Sequence, residues 1–256
     1  MNSRKDSQPL IRISGLSHRF PDGRLALNSI NLDIEADSFT VICGENGSGK
    51  TVLMRHLNGI LEPSAGEISV SGISVRKDPG NACRKIGFVF QNSDTQFVAQ
   101  TVRDDIAFGP ENLGLDSECI SARVSSVASD LDIVTILEKS PHRLSGGEKK
   151  KAAIAGVLAM EPALIVFDEP FAGLDYRGVR MLIEKILKLR KAGKAVIVIS
   201  HDLEKILAHA DTLVVMADGR ITGCGAPVDM LETAAAYGMR IPAGVKVESM
   251  SWYLDT

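Results

Sequence analysis

The segment Gly44-Glu45-Asn46-Gly47-Ser48-Gly49-Lys50-Thr51 constrains this chain more than any other. It spells G-x-x-x-x-G-K-[ST], follows the strand-like run FTVIC (39–43) and opens the helical stretch TVLMRHLN, which closes at Gly59. Strand, glycine-rich turn and helix together make a phosphate cradle. The glycines let backbone N–H groups curl around an anion without Cβ clashes, and a helix N-terminus favours negative charge. Lys50 is placed to reach the β- and γ-phosphates, and the Thr51 hydroxyl to ligate Mg²⁺. A nucleotide is therefore expected along Gly44, Glu45, Asn46, Gly47, Ser48, Gly49, Lys50, Thr51 and Val52. A bare glycine-rich turn is the alternative, and the flanking strand and helix argue against it.

Such a loop needs a parallel sheet, and the rest of the chain supplies one. LIRIS (10–14), SINLDI (29–34), GEISVSG (66–72) and KIGFVF (85–90) read as strands. Beyond 160 the chain alternates: strand ALIVF (163–167), helix 176–192, strand AVIVIS (195–200), helix 202–209, strand TLVVM (212–216). Unbroken apolar runs suit strands buried on both faces. Asp218-Gly219 signals a hairpin over 212–223. Residues 92–160 are polar and helical, an insertion between strands. The expected organisation is a frayed tail (1–9), a nucleotide-binding domain (10–235) holding a helical subdomain at about 92–160, and a C-terminal tail (236–256). The expected fold class is α/β, a P-loop NTPase sheet flanked by helices, with an N-terminal antiparallel β part and a helical subdomain inserted between strands.

Composition excludes several other readings. A formal charge of −3 over 256 residues argues against nucleic acid as partner. Cys43, Cys83, Cys119 and Cys224 are scattered, with no C-x-x-C pair, which fits a reducing compartment. The richest apolar stretch, 152–167, is broken by Glu161-Pro162 and is too short to span a bilayer. MNSRKDSQPL has no apolar core behind its charges and is not a secretory signal.

Two further segments carry chemistry. The strand 163–167 delivers Asp168 and Glu169 to the sheet's C-terminal edge, where ligands bind in open α/β sheets. Asp168 is suited to holding Mg²⁺ through its water shell, and Glu169 to activating a water for attack on the γ-phosphate. The bland alternative is a pair of solvated acids. Leu144-Ser145-Gly146-Gly147-Glu148 is, at its plainest, an S-x-x-E capping box opening a helix to Met160. A cap does not require two glycines in the first turn, where they weaken the helix. They do let a ligand approach bare N–H groups, so a second phosphate site is expected there.

P-loop, LSGG-type signature and Asp-Glu strand, in this order, resemble the ATP-binding subunit of an ABC transporter over about residues 10–235. The resemblance implies further roles. Gln91 corresponds to the Q-loop glutamine that senses Mg²⁺ and the membrane partner, and would share the ion with Thr51 and Asp168. Ala172-Gly173-Leu174-Asp175 corresponds to the D-loop, with Asp175 at the dimer interface. His201 matches the switch histidine on the γ-phosphate, and Phe20 the aromatic that stacks on adenine. Lys50, Glu169 and His201 would then be the catalytic set, while Ser145, Gly146, Gly147 and Glu148 act on the partner's ATP.

Gln91 to Phe97, with the run 101–115 and the alanine-rich 152–160, is similar to the energy-coupling factor importers of cobalt, nickel and vitamins. In that group the segment after the glutamine docks on a transmembrane coupling protein; an ordinary insertion with a buried Ile106/Phe108 face is the plainer reading. The resemblance implies a head-to-tail dimer, with itself or a homologous ATPase. It also implies a transmembrane coupling protein, a substrate-capturing membrane subunit, ATP with Mg²⁺, and a peripheral place on the cytoplasmic face of the membrane. The chain departs from the pattern at Phe20 (usually tyrosine), Glu45 (proline), Val52 (a second hydroxyl) and Lys151 (arginine), and Lys149-Lys150-Lys151 reads as a solvated face. The competing functions are a soluble non-transport ABC ATPase, a non-hydrolysing ATP-binding regulatory module and a small-molecule P-loop kinase. The interval between Lys50 and Ser145 is too short for the long coiled coil of DNA-repair relatives, and a kinase would not need the signature.

Overall fold

The computed structural model describes residues 8–92, 95–242 and 244–253. Residues 1–7, most of the expected tail, lie outside the described residues, as do Ser93 and Asp94 of the segment after Gln91.

The N-terminal strands β1 (Ile11–Arg19) and β2 (Leu25–Ile34) alternate buried and exposed side chains over much of their length. That pattern suits an antiparallel sheet with one wet face. With β4 (Ala65–Val70) and β5 (Ile73–Ser74) they form a four-stranded sheet in the order β2-β1-β4-β5. The strand β3 (Phe39–Cys43) is buried at every position. It is the third strand of a six-stranded sheet, β10-β9-β3-β8-β7-β6, with β6 (Ile86–Val89), β7 (Leu164–Asp168), β8 (Ala195–Ile199), β9 (Thr212–Ala217) and β10 (Arg220–Gly225). All these strands run parallel except β10, which turns back antiparallel on β9. Asp218 (φ 47°) and Gly219 (φ 71°) make the turn, as two left-handed residues in a two-residue hairpin should.

The helix α1 (Lys50–Leu57) lies between the two sheets, with Leu53, Met54 and Leu57 in one core beside Ile42, Val166 and Ile197. The other face of the large sheet is covered by helices. They are α3 (Val102–Asn112), α4 (Ser117–Asp130), α5 (Gly146–Ala159), α6 (Tyr176–Lys191) and α7 (Pro227–Ala236). A short α2 (Pro79–Cys83) precedes β6. The insertion α3–α5 sits between β6 and β7, as the polar, helical character of 92–160 implies. In α6 the buried Val179, Leu182, Ile183 and Ile186 recur at helical spacing.

Three expectations are corrected. Residues 202–209 are not one helix but two 3₁₀ turns, Leu203–Lys205 and Leu207–His209. The buried Leu203, Ile206 and Leu207 have helical spacing, but the C-terminal segment takes the backbone groups a helix would use. The Ala208 N–H donates to Met250 O (3.0 Å), and the Trp252 N–H donates to Lys205 O (3.1 Å). Phe108 is 49% exposed, so it does not share the buried face of Ile106. Lys150 is 6% exposed and belongs to no solvated face.

Candidate active site

The C-terminal ends of β3, β6, β7 and β8 all open at one edge of the sheet, and a cleft of about 430 Å³ lies there. Its walls include Phe20, Gly47, Gly49, Lys50, Thr51, Val52, Gln91, Asp168 and Glu169. Most of the sequence-predicted site is therefore brought together in space.

The P-loop conformation depends on its glycines. Gly44 has φ 147°, and a Cβ there would collide with the Met216 carbonyl. Gly49 (φ 104°) caps α1 in the left-handed region, with Leu27 and Ala26 against it. The Lys50 ammonium donates to Gly44 O (2.6 Å), Glu45 O (2.9 Å) and Ser48 Oγ (3.3 Å). Burial lowers its pKa, while Glu169, Cys43 and Asp168 pull the other way. The charge is thus held against carbonyls in a partly desolvated site, poised for an anion. Glu45 turns away from the cradle: a Cβ on Gly238 would collide with its carboxylate, so the acid lies against the start of the C-terminal segment. Behind the loop, burial pushes the Cys43 thiol up to about 12, which leaves it protonated and inert.

Asp168 ends β7 with its pKa raised, first by burial and then by neighbouring Glu169, with Lys50 opposing. Glu169 adopts φ 45°, yet its N–H still donates to Ile199 O (2.9 Å). The sheet holds the backbone while the left-handed turn redirects the side chain. His201 follows β8, and its Nδ1 lies 2.9 Å from Glu169 Oε1. The histidine is 63% exposed and the glutamate 16%, so the pair presents an imidazole on the open side. The Thr51 hydroxyl, Gln91 amide and Asp168 carboxylate share the cleft. One carboxylate with neutral oxygens is a hard donor set with room for phosphate oxygens and water, which fits Mg²⁺.

Phe20 is half-buried, with the Arg24 guanidinium 4.7 Å from its ring centroid and His18 against its edge at 4.8 Å. Arg24 also lines the cleft and went unread in the sequence, where nothing distinguished it from other charges in the β1–β2 turn.

The signature lies elsewhere. Ser145 caps α5 in a complete capping box: its Oγ accepts from the Glu148 N–H, and Glu148 Oε2 accepts from the Ser145 N–H at 2.8 Å. Gly146 and Gly147 have open space where a Cβ would sit. Gly147 lines a different cleft, of about 340 Å³, with Lys150 and Asp175. Asp175 caps α6 through the Gly178 N–H (2.7 Å). Lys150 donates to Pro170 O (2.5 Å) and Ala172 O (3.3 Å), tying the signature helix to the loop after Glu169. A signal for this was present, since Lys150 lies four and seven residues before the buried Ile154 and Val157.

The ABC transporter family profile matches residues 27–172. The energy-coupling factor transporter ATP-binding protein EcfA of Methanocaldococcus jannaschii is 38% identical over 239 residues, 91% of this chain and 86% of that protein. Its counterpart in Carboxydothermus hydrogenoformans is 44% identical over 216 residues, 84% of this chain and 80% of that one. Among solved structures, cbiO1 of Clostridium perfringens, part of the ABC transporter complex cbiONQ, superposes with a TM-score of 0.80 at 34% identity. It covers 90% of this chain and 93% of its own.

Proposed function

This chain belongs to the ABC transporter family and is an ATPase of it; on that premise we propose that it powers an energy-coupling factor type importer of cobalt, nickel or a vitamin. The names of its relatives support the importer class. The observation that carries the coupling to a membrane partner is a groove of about 480 Å³ next to the segment that follows Gln91. It is lined by Phe88, Val98, Phe108 and Met160, with Val98 66% and Phe108 49% exposed. Exposed apolar surface of this kind is a place where another chain covers it. Asp105 lies in the groove with its pKa raised by burial, against Val98 and Ala99 N–H donors. Among the described residues no helix is long and apolar enough to cross a membrane.

In the proposed cycle, Phe20 stacks on the adenine and the 44–51 loop wraps the phosphates. Lys50 exchanges the Gly44 and Glu45 carbonyls for β- and γ-phosphate oxygens. Thr51, Gln91 and Asp168 would hold Mg²⁺, which supplies neutralising charge to the phosphates when bound. Glu169 takes a proton from the attacking water, and His201 steadies its carboxylate and faces the γ-phosphate. Ser145, Gly146, Gly147 and Glu148 complete the site of the opposite chain in a head-to-tail dimer, with itself or a homologous ATPase. Dimer closure on ATP passes through Gln91 and the groove to a transmembrane coupling protein, which works with a substrate-capturing subunit. The chain then sits peripherally on the cytoplasmic face of the membrane.

The test is to tag the chain and recover it from detergent-solubilised membranes of its source. Co-purification of a polytopic coupling protein and a small capturing subunit is expected, with the latter naming the substrate. Recovery with only soluble partners overturns the importer reading and favours a soluble ABC ATPase.

A further inference from the structure

The segment 244–253 packs on the turns that follow His201. Met250 is buried in the core, and the backbone bonds Ala208 N–H to Met250 O and Trp252 N–H to Lys205 O dock the segment on the turns that follow His201. The His209 ring adds contacts from Nε2 to Ser251 Oγ (2.7 Å) and Tyr253 O (3.0 Å). The Trp252 ring has the Lys205 ammonium 4.9 Å from its centroid and Tyr176, the neighbour of Asp175, at 5.4 Å. Lys205 also donates to Asp202 Oδ2 (2.5 Å). Asp202 Oδ1 lies 3.7 Å from His201 Nε2, and His201 Nδ1 lies 2.9 Å from Glu169 Oε1.

His201 therefore stands between two carboxylates, Glu169 at hydrogen-bond distance from Nδ1 and Asp202 beyond it from Nε2. Free to turn, Asp202 would draw the imidazole away from Glu169. Lys205 holds Asp202 from the other side, and Trp252 holds Lys205 by covering its ammonium with an aromatic face. Lys205 has little freedom, because its side chain is 13% exposed and Phe171 flanks it at 5.9 Å.

We infer that the C-terminal segment is an intramolecular strap that sets His201 against Glu169, with Lys205 and Trp252 as positioning residues for hydrolysis. The inference rests on the reading of Glu169 and His201 as the hydrolytic pair. Lys205 and Trp252 touch neither the P-loop nor Phe20 in any contact described above, so the strap acts on turnover and leaves nucleotide binding alone. A cation–π contact needs the ring and no particular ring atom, so phenylalanine at 252 preserves it.

The experiment compares full-length Trp252→Ala, Trp252→Phe, Lys205→Gln and Glu169→Gln with the parent. It measures kcat at saturating ATP, the Kd of a non-hydrolysable ATP analogue, and the melting midpoint. Expected are an inactive Glu169→Gln and a kcat lowered about tenfold in Trp252→Ala and Lys205→Gln, with Kd unchanged within about twofold. Trp252→Phe should recover most of the rate. If Trp252→Ala does not fold, Lys205→Gln carries the test alone. Parental kcat in Lys205→Gln beside an inactive Glu169→Gln overturns the strap and leaves the hydrolytic pair standing. A rise in Kd that accounts for the lost rate overturns it as well. Parental hydrolysis by Glu169→Gln overturns the pair, and the strap with it.

Discussion

Lys50 and Lys150 are both pulled out of water and both donate to main-chain carbonyls, yet they do different work. Around Lys50 the acceptors are P-loop carbonyls at the mouth of an open cleft, positions that phosphate oxygens can replace. Lys50→Ala should weaken ATP binding by at least about tenfold with little change in the nucleotide-free melting midpoint, and equilibrium titration checks it. Around Lys150 the acceptors are structural, and burial lowers its pKa. Lys150→Met keeps the stem and orphans the Pro170 carbonyl, at a cost of about 1–3 kcal/mol by denaturant titration. His56 offers a pH signature. It is fully buried, and burial, aided by His18, lowers its pKa to about 4 against a backbone hydrogen bond at Leu61 that raises it. The unfolded chain binds the proton below about 6.5 and the native chain only near 4, so stability falls as pH drops through that window. The loss is on the order of 3 kcal/mol, and a His56→Leu variant should show a flatter curve of stability against pH.

At the scale of elements, α5 carries two demands in one turn. Its capping box satisfies the first N–H groups, while Gly146 and Gly147 give up helix propensity and meet nothing where a Cβ would sit. Gly147→Ala should therefore stabilise the chain by roughly 0.5–1 kcal/mol. It should also lower ATPase activity, because the methyl stands where the partner's nucleotide would approach. Calorimetry and a turnover assay read the two effects separately, and parental turnover in the stabilised variant would remove the signature from the site. The stretch 203–209 shows the reverse conflict, in which a helical pattern loses to tertiary contacts. Each hydrogen bond to the returning segment replaces one that the helix would have made.

At the scale of the molecule, the proposed site is split between the P-loop cleft and the signature turn. Among the described residues, the P-loop cleft and the signature cleft have no lining residue in common. A second copy or a homologue, turned head to tail, would bring one chain's signature onto the other's P-loop. Glu169→Gln should stop turnover by at least about a hundredfold while leaving ATP bound. In sedimentation it should then run as a dimer with Mg-ATP and as a monomer without it; a monomer under both conditions argues against the sandwich.

The local parts of this protein were legible before any fold was known. The P-loop, the Asp168-Glu169 strand end, the capping box and the hairpin at Asp218-Gly219 each depend on neighbours a few residues away, and backbone sterics and hydrogen bonding leave such segments few alternatives. The parallel sheet followed from apolar runs that can only be buried on both faces. Tertiary structure decided whatever depends on distant partners. It buried Lys150 under the loop after Glu169, exposed Phe108 in a groove, put Arg24 over Phe20, and broke 202–209 by docking residues from 250 onward. Chain spacing can hint that a position such as Lys150 is covered, but it does not name the partner, because each of these contacts is made with a backbone group or surface from a distant part of the chain.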